Sequence, residues 1–133
     1  MSDLTTYAET LLLNWLFNQG APTRPSAYYL GIHNGDPGET GADNEQNDTD
    51  DIDYVRPALT FGDAAEDGII LTTASVSYTP DETADPFTVS HVSIWDADAE
   101  GNCLFKGELA IPRTIINAKP LSLAAGDLAC ALD

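Results

Sequence analysis

Phe87-Thr88-Val89-Ser90-His91-Val92-Ser93-Ile94-Trp95 is the longest β-prone run in the chain, and it holds neither Gly nor Pro. β-Branched and aromatic residues in that density fit a packed, pleated strand. Glu100-Gly101-Asn102 then supplies a turn, and Cys103-Leu104-Phe105-Lys106-Gly107-Glu108-Leu109 reads as the next strand. Upstream, residues 27–33 (Ala27-Tyr28-Tyr29-Leu30-Gly31-Ile32-His33) form the first strand, and Asn34-Gly35 and Asp36-Pro37-Gly38 mark turns after it. Residues 54–61 form a second strand, whose Pro57 points to an edge or an irregular start. Shorter candidates are 69–72, 74–78, 115–116, 121–123 and 128–132. About seven to nine short strands with frequent turns predict a mainly β chain, an antiparallel β-sandwich.

Before the first strand the period changes. Leu4, Tyr7, Ala8, Leu11, Leu12, Trp15 and Leu16 recur at helical spacing behind Ser2-Asp3, a capping pair. This predicts one amphipathic N-terminal α-helix over about 3–18, with Gly20 as a left-handed C-terminal cap. Leu13 and Phe17 carry the apolar surface round to a second side, which makes them interface candidates. A Pro-containing tether follows at 21–25. No repeat or linker divides the 133 residues, so the chain is read as a single domain, 1–133, with the sandwich at 26–133.

Composition narrows function. Lys and Arg total 5 against 22 Asp and Glu, a formal net charge of −17. Five cations cannot form a basic patch, and the field repels phosphate, which excludes a nucleic-acid partner and disfavours an anionic membrane surface. No apolar run approaches the roughly 18–20 residues of a membrane span, and no signal peptide is visible. A charge this large suggests a surface adapted to high salt. Thermal melts in about 0.1 M and 2 M KCl are therefore expected to differ strongly, because the screening length falls several-fold between them. Equal midpoints would refute the saline reading, with sulfate as the control for salting-out.

The acids are densest at 36–53, where Asp36, Glu39, Asp43, Glu45, Asp48, Asp50, Asp51 and Asp53 fall in one long loop. Ca²⁺ takes six to eight hard oxygens, so Asp43, Glu45, Asp48, Asp50, Asp51 and Asp53 are the calcium candidates. The EF-hand Gly and closing Glu are missing, and the plainer reading is a solvated, exposed loop. His33 and His91 lack companions at metal-ligand spacing and read as hydrogen-bonded strand histidines. Ser75, Ser77, Ser90 and Ser93 lack a nucleophile-elbow motif, so no catalytic residue is assigned. Asp96, Asp98 and Glu100 belong to a turn. Cys103 and Cys130 make neither a disulfide scaffold nor a zinc site. Tyr28, Tyr29, Trp15, Trp95 and Phe105 suit a core, a subunit interface or a sugar platform. Arg56 and Arg113, scarce cations, are expected to pair with carboxylates; with Tyr28 they join the interface candidates.

The order of these segments resembles a family of small tailed-virus proteins, the phage tail-fibre and tail proteins. The residues that carry the resemblance are 12–17 (Leu12-Leu13-Asn14-Trp15-Leu16-Phe17), 29–39 (Tyr29 through Asp36-Pro37-Gly38-Glu39), Asn44-Glu45, 54–61, 89–97 (Val89-Ser90-His91 through Asp96-Ala97), Gly101-Asn102-Cys103-Leu104-Phe105, Pro112-Arg113-Thr114 and Ala124-Ala125-Gly126-Asp127-Leu128. The chain departs from the pattern between Glu45 and Tyr54, where the family has a short Gly-rich stretch. The resemblance implies a non-enzymatic virion component at the tail tip, baseplate, fibre base or particle surface. It implies other virion proteins as partners and, with the acidic composition, a virus of a salt-loving host. A short chain without catalytic groups works through its surfaces, so a symmetric homo-oligomer is expected. The alternative is a Ca²⁺-dependent or carbohydrate-recognising adhesion module that meets a host-surface receptor. A small hydrolase is the remote third reading.

Overall fold

The computed structural model describes residues 2–18, 20, 22–47, 50–65, 67–116 and 118–132. Its elements are β1 (Ser2–Leu4), α1 (Thr6–Phe17), β2 (Tyr28–His33), β3 (Ala58–Leu59), β4 (Ile69–Leu71), β5 (Val76–Tyr78), β6 (Phe87–Trp95), β7 (Cys103–Ile115), β8 (Leu121–Leu123) and β9 (Ala129–Ala131). Mainly β with one helix near the N-terminus is thus the observed class. An antiparallel five-stranded sheet runs β1-β7-β6-β2-β3, and two ribbons, β4-β9 and β5-β8, complete the fold. No helix among the described residues is long and apolar enough to cross a membrane.

The run 87–95 is β6, in the middle of the large sheet. It pairs with β2 as Leu30↔Ile94, Gly31↔Ser93, Ile32↔Val92 and His33↔His91. Directly paired residues share a face, so Leu30, Ile32, Val92 and Ile94 line one side and Gly31, His33 and Ser93 the other. The first side meets Val76, Tyr78, Leu121, Leu123 and Cys130 of the ribbons in one apolar cluster. A register shift between Val89 and His91 changes the phase of the alternation, which lets Phe87 and Val89 join Val92 and Ile94 in that cluster. Opposite this shift Val89 pairs with Arg113 and His91 with Glu108, leaving 109–112 as a wide bulge of β7. Pro112 is tolerated there because no ladder hydrogen bond is required of it. The strands expected at 103–109 and 115–116 are therefore one strand.

Three expectations are corrected. Residues 2–4 do not begin the helix; they pair with β7 (Asp3↔Lys106, Leu4↔Phe105), because its open edge offers ladder partners. Thr5 is the cap instead: its fully buried hydroxyl accepts the Ala8 N–H at 3.4 Å and donates to the Cys103 carbonyl. At the far end Gly20 has no left-handed backbone, and the chain leaves the helix through an extended Asn18. The strand expected at 54–61 shrinks to Ala58–Leu59, since Tyr54 and Arg56 turn inward to fasten the preceding loop.

Candidate interaction surface

The second side of the large sheet, carrying Gly31, His33, Ser93 and Trp95, is covered by the acidic segment itself. His33 has no exposed surface. Its Nδ1 meets the Asp43 carbonyl at 2.8 Å and its Nε2 meets Ser93 Oγ at 2.7 Å. Trp95 Nε1 donates to the same Oγ at 2.6 Å. The Arg56 guanidinium lies 3.7 Å from the centre of a Trp95 ring. It donates to both Glu45 oxygens, from Nε at 2.6 Å and Nη2 at 2.9 Å, and from Nη1 to the Ala97 and Glu100 carbonyls at 3.1 and 2.7 Å. Tyr54 donates its hydroxyl to Glu45 at 2.7 Å, and its ring meets Tyr78 edge-on at 5.5 Å. Tyr78 in turn donates to Asp51, which also accepts the backbone N–H groups of Asp53 and Asp81 at 3.2 Å.

This is where the expectation of a freely solvated loop fails. Asp51 is 1% exposed and Glu45 only 14%, and each replaces its lost water with several donors. Burial, and then the Glu45 charge, pushes the Tyr54 phenol far above its ordinary range. Burial opposes the Arg56 charge, but Glu45 outweighs it and raises that group too. Desolvation holds His33 below its usual value, so it is neutral at pH 7.

The calcium candidates are thereby separated. Glu45 serves Arg56 and Asp51 serves Tyr78. Asp43, Asp50 and Asp53 are exposed, Asp50 accepting from the Asn47 amide at 3.0 Å, and Asp48 lies outside the described residues. Among the described residues, no three His, Cys, Asp or Glu side chains come together to hold a metal ion. The Ser93–His33 contact has the length of a nucleophile–base pair, yet both side chains are fully buried and Nδ1 faces a carbonyl rather than a carboxylate. The cysteines are buried, free thiols; burial pushes Cys103 up to about 12 and Cys130 to about 11, so neither is a thiolate at neutral pH.

Of the interface candidates, Arg56 is internal: its pairing with a carboxylate is observed, but at 7% exposure it has no surface to offer a partner. Tyr28 is half-buried against the core, its ring edge-on to Phe61 at 5.6 Å. Arg113 is exposed and donates to the Ser122 carbonyl at 2.6 Å. The aromatic set of the sugar reading is scattered: Trp95 is buried under Arg56, Trp15 is on the helix, and Tyr28 and Phe105 line a cleft of about 680 Å³ with Phe61, Arg24 and Asp63.

Leu13 and Phe17 answer differently. The sandwich covers little of the helical stripe; Leu11 and Leu12 are half-buried, and among the described residues of α1 only Ala8 is buried. Leu13, Trp15 and Leu16 are each more than half exposed, and Phe17 is 83% exposed. Four large apolar side chains in five consecutive positions cannot all lie on one face of a helix. The C-terminal half of α1 is therefore bare and apolar over more than half of its circumference, with Asn14 on the remaining side. The helix has one charged residue, Glu9, on a chain of net charge −17. Sequence reasoning missed the pairs His33–Ser93 and Glu45–Arg56, whose members are 60 and 11 positions apart; the scarcity of Arg was the only signal for the second.

The family model described as Gp80, Podophage GP4 fiber I protein gp80, matches residues 3–131. The chain belongs to this phage fibre family. A comparison with curated proteins gave no match. Membership makes the chain a structural component of a phage particle, and the tail-fibre resemblance of its sequence is thereby accounted for.

Proposed function

We propose that the chain is a non-enzymatic building block of the tail-fibre apparatus that assembles as a symmetric oligomer through α1. The bare apolar end of α1 carries this reading. Large exposed apolar patches mark interaction sites, and a helix end apolar over more than half of its circumference calls for neighbours on more than one side. Further burial of Leu13, Trp15, Leu16 and Phe17 would contribute on the order of 5 kcal/mol per protomer. A near-neutral helix also lets acidic copies meet where their mutual repulsion is least.

Leu13→Asp and Phe17→Asp test it. Neither side chain supports the core, so the β-sheet circular dichroism should be unchanged while the mass in solution falls to that of the monomer. Added salt should favour the wild-type oligomer, because screening weakens repulsion between copies. An oligomer of unchanged mass in both variants, or a monomeric wild type at every salt concentration, would refute the reading.

A further inference from the structure

We propose that His33 is the latch of an acid-opened clasp that holds the segment 34–46 against the second face of the large sheet. The hydrogen bonds around it run in one direction only. An indole N–H can only donate, so Ser93 Oγ accepts from Trp95, and its own proton is free for His33 Nε2. His33 Nδ1 then carries the ring's proton and donates it to the Asp43 carbonyl. Trp95, Ser93, His33 and Asp43 thus form a chain from the sheet to the segment, in which a neutral imidazole accepts the Ser93 proton.

A bond from the Gln46 N–H to the Ile32 carbonyl at 3.0 Å also ties the segment to the sheet, Glu45 ties it to Arg56, and Lys106 meets Asp36 at 3.1 Å. The Asn34 N–H, bonded to the Asn44 carbonyl at 3.1 Å, closes the segment on itself. Protonation makes Nε2 a donor, so Ser93 Oγ must accept twice and turn its own proton away from the ring, and it places a charge where no water reaches. Its charged or titratable surroundings are Glu45 of the segment, which favours the proton, Arg56 downstream of the segment and His91 of β6, which oppose it, and the neutral Cys103 thiol of β7 beyond Ser93. Glu45 is already committed to Arg56 and Tyr54, so it offers the imidazolium little compensation. Opening the segment hydrates the ring and removes the conflict. The middle of the segment also braces the helix and β7, since Glu39 accepts from the Thr6 hydroxyl of α1 at 3.2 Å and lies 3.6 Å from Lys106 of β7. Opening would release that brace.

The sign follows from linkage. The ring resists a proton when the clasp is closed and takes one at about 6.5 when it is open. The latch is at full strength above about pH 6.5. Below it, opening should grow by up to tenfold per pH unit until the closed ring also titrates. Amide hydrogen exchange on the full chain, corrected for intrinsic rates, reads this directly. Protection of the Gln46 and Asn34 amides should fall with that slope between about pH 6.5 and 5, while the amides of β6 stay constant. His33→Gln should flatten the dependence, and His91→Gln should leave it in place. Should His33→Gln not fold, ring ¹⁵N shifts of the wild type decide: a neutral, Nδ1-protonated His33 must persist below pH 6.5 in the closed form. PH-independent protection, a slope that survives His33→Gln, or a charged ring in the closed clasp would each overturn the proposal.

Discussion

Arg56→Ala should be among the most damaging single substitutions in this chain, with a loss of about 3–5 kcal/mol, the range for breaking one partner out of a buried ion pair. The guanidinium is 7% exposed and makes bonds to both Glu45 oxygens and to two carbonyls. Removing it leaves the Glu45 carboxylate with Tyr54 alone, takes the donor from the Ala97 and Glu100 carbonyls, and uncovers the face of Trp95. Arg56→Lys should recover little, because an ammonium cannot span a bidentate carboxylate and two carbonyls from one position. The double variant Glu45→Gln with Arg56→Met should be less destabilised than Arg56→Ala, since the stranded charge is gone and the apolar stem still packs on Trp95. Urea unfolding at fixed salt measures all of these. A loss below about 1 kcal/mol for Arg56→Ala would place the pair with ordinary exposed ion pairs and remove the main support for a fastened loop.

The pattern of the sequence carried the sheet further than it carried the loop. Residues 87–95 and 121–123 appear as strands with the expected bounds, because β-branched and aromatic runs bounded by turns report local preference. The fate of 109–112 was not legible: only the pairing of β6 with β7 reveals that four residues oppose one. The helix failed in a more instructive way. Tyr7, Leu11 and Leu12 keep helical spacing, but period says nothing about what covers a face, and here the sandwich covers little of it, while Leu4 belongs to β1. For the segment 36–53 the density of acids argued for solvent, yet Glu45 and Asp51 are drawn inward by Arg56 and Tyr78. Burial of a carboxylate depends on donors brought by the fold, and those sit 11 and 27 positions away in the chain. His33 and Ser93, 60 positions apart, met for the same reason.

Gly31→Ala is the second severe substitution, and its cause is space rather than backbone freedom. Gly31 is an ordinary strand residue, paired with Ser93 in the β2–β6 ladder. A Cβ built there would lie 2.3 Å from Ser93 Oγ, 2.9 Å from Trp95 Nε1 and 3.2 Å from His33 Nε2. The hydroxyl that joins Trp95 to His33 has no free volume to retreat into, since Ser93 and His33 are fully buried. Overpacking alone costs about 1–3 kcal/mol, and displacing Ser93 leaves a buried donor or acceptor unpaired for about 1–3 kcal/mol more. A total near 4 kcal/mol is expected. Ser93→Ala removes the nearest obstacle but also orphans the Trp95 N–H and His33 Nε2, so it should be costly by itself. Combined with Gly31→Ala its cost should be much less than additive, because both substitutions destroy the same bonds. Gly68 is the control: its φ of +79° makes Ala strained, but nothing lies within 4 Å of the added carbon. Gly68→Ala should therefore cost only about 1–2 kcal/mol, the left-handed penalty without the collision. If Gly31→Ala were no worse than Gly68→Ala, the Trp95–Ser93–His33 chain would not be tightly packed, and the second face of the sheet would be held by the Arg56–Glu45 pair and the loop's backbone instead.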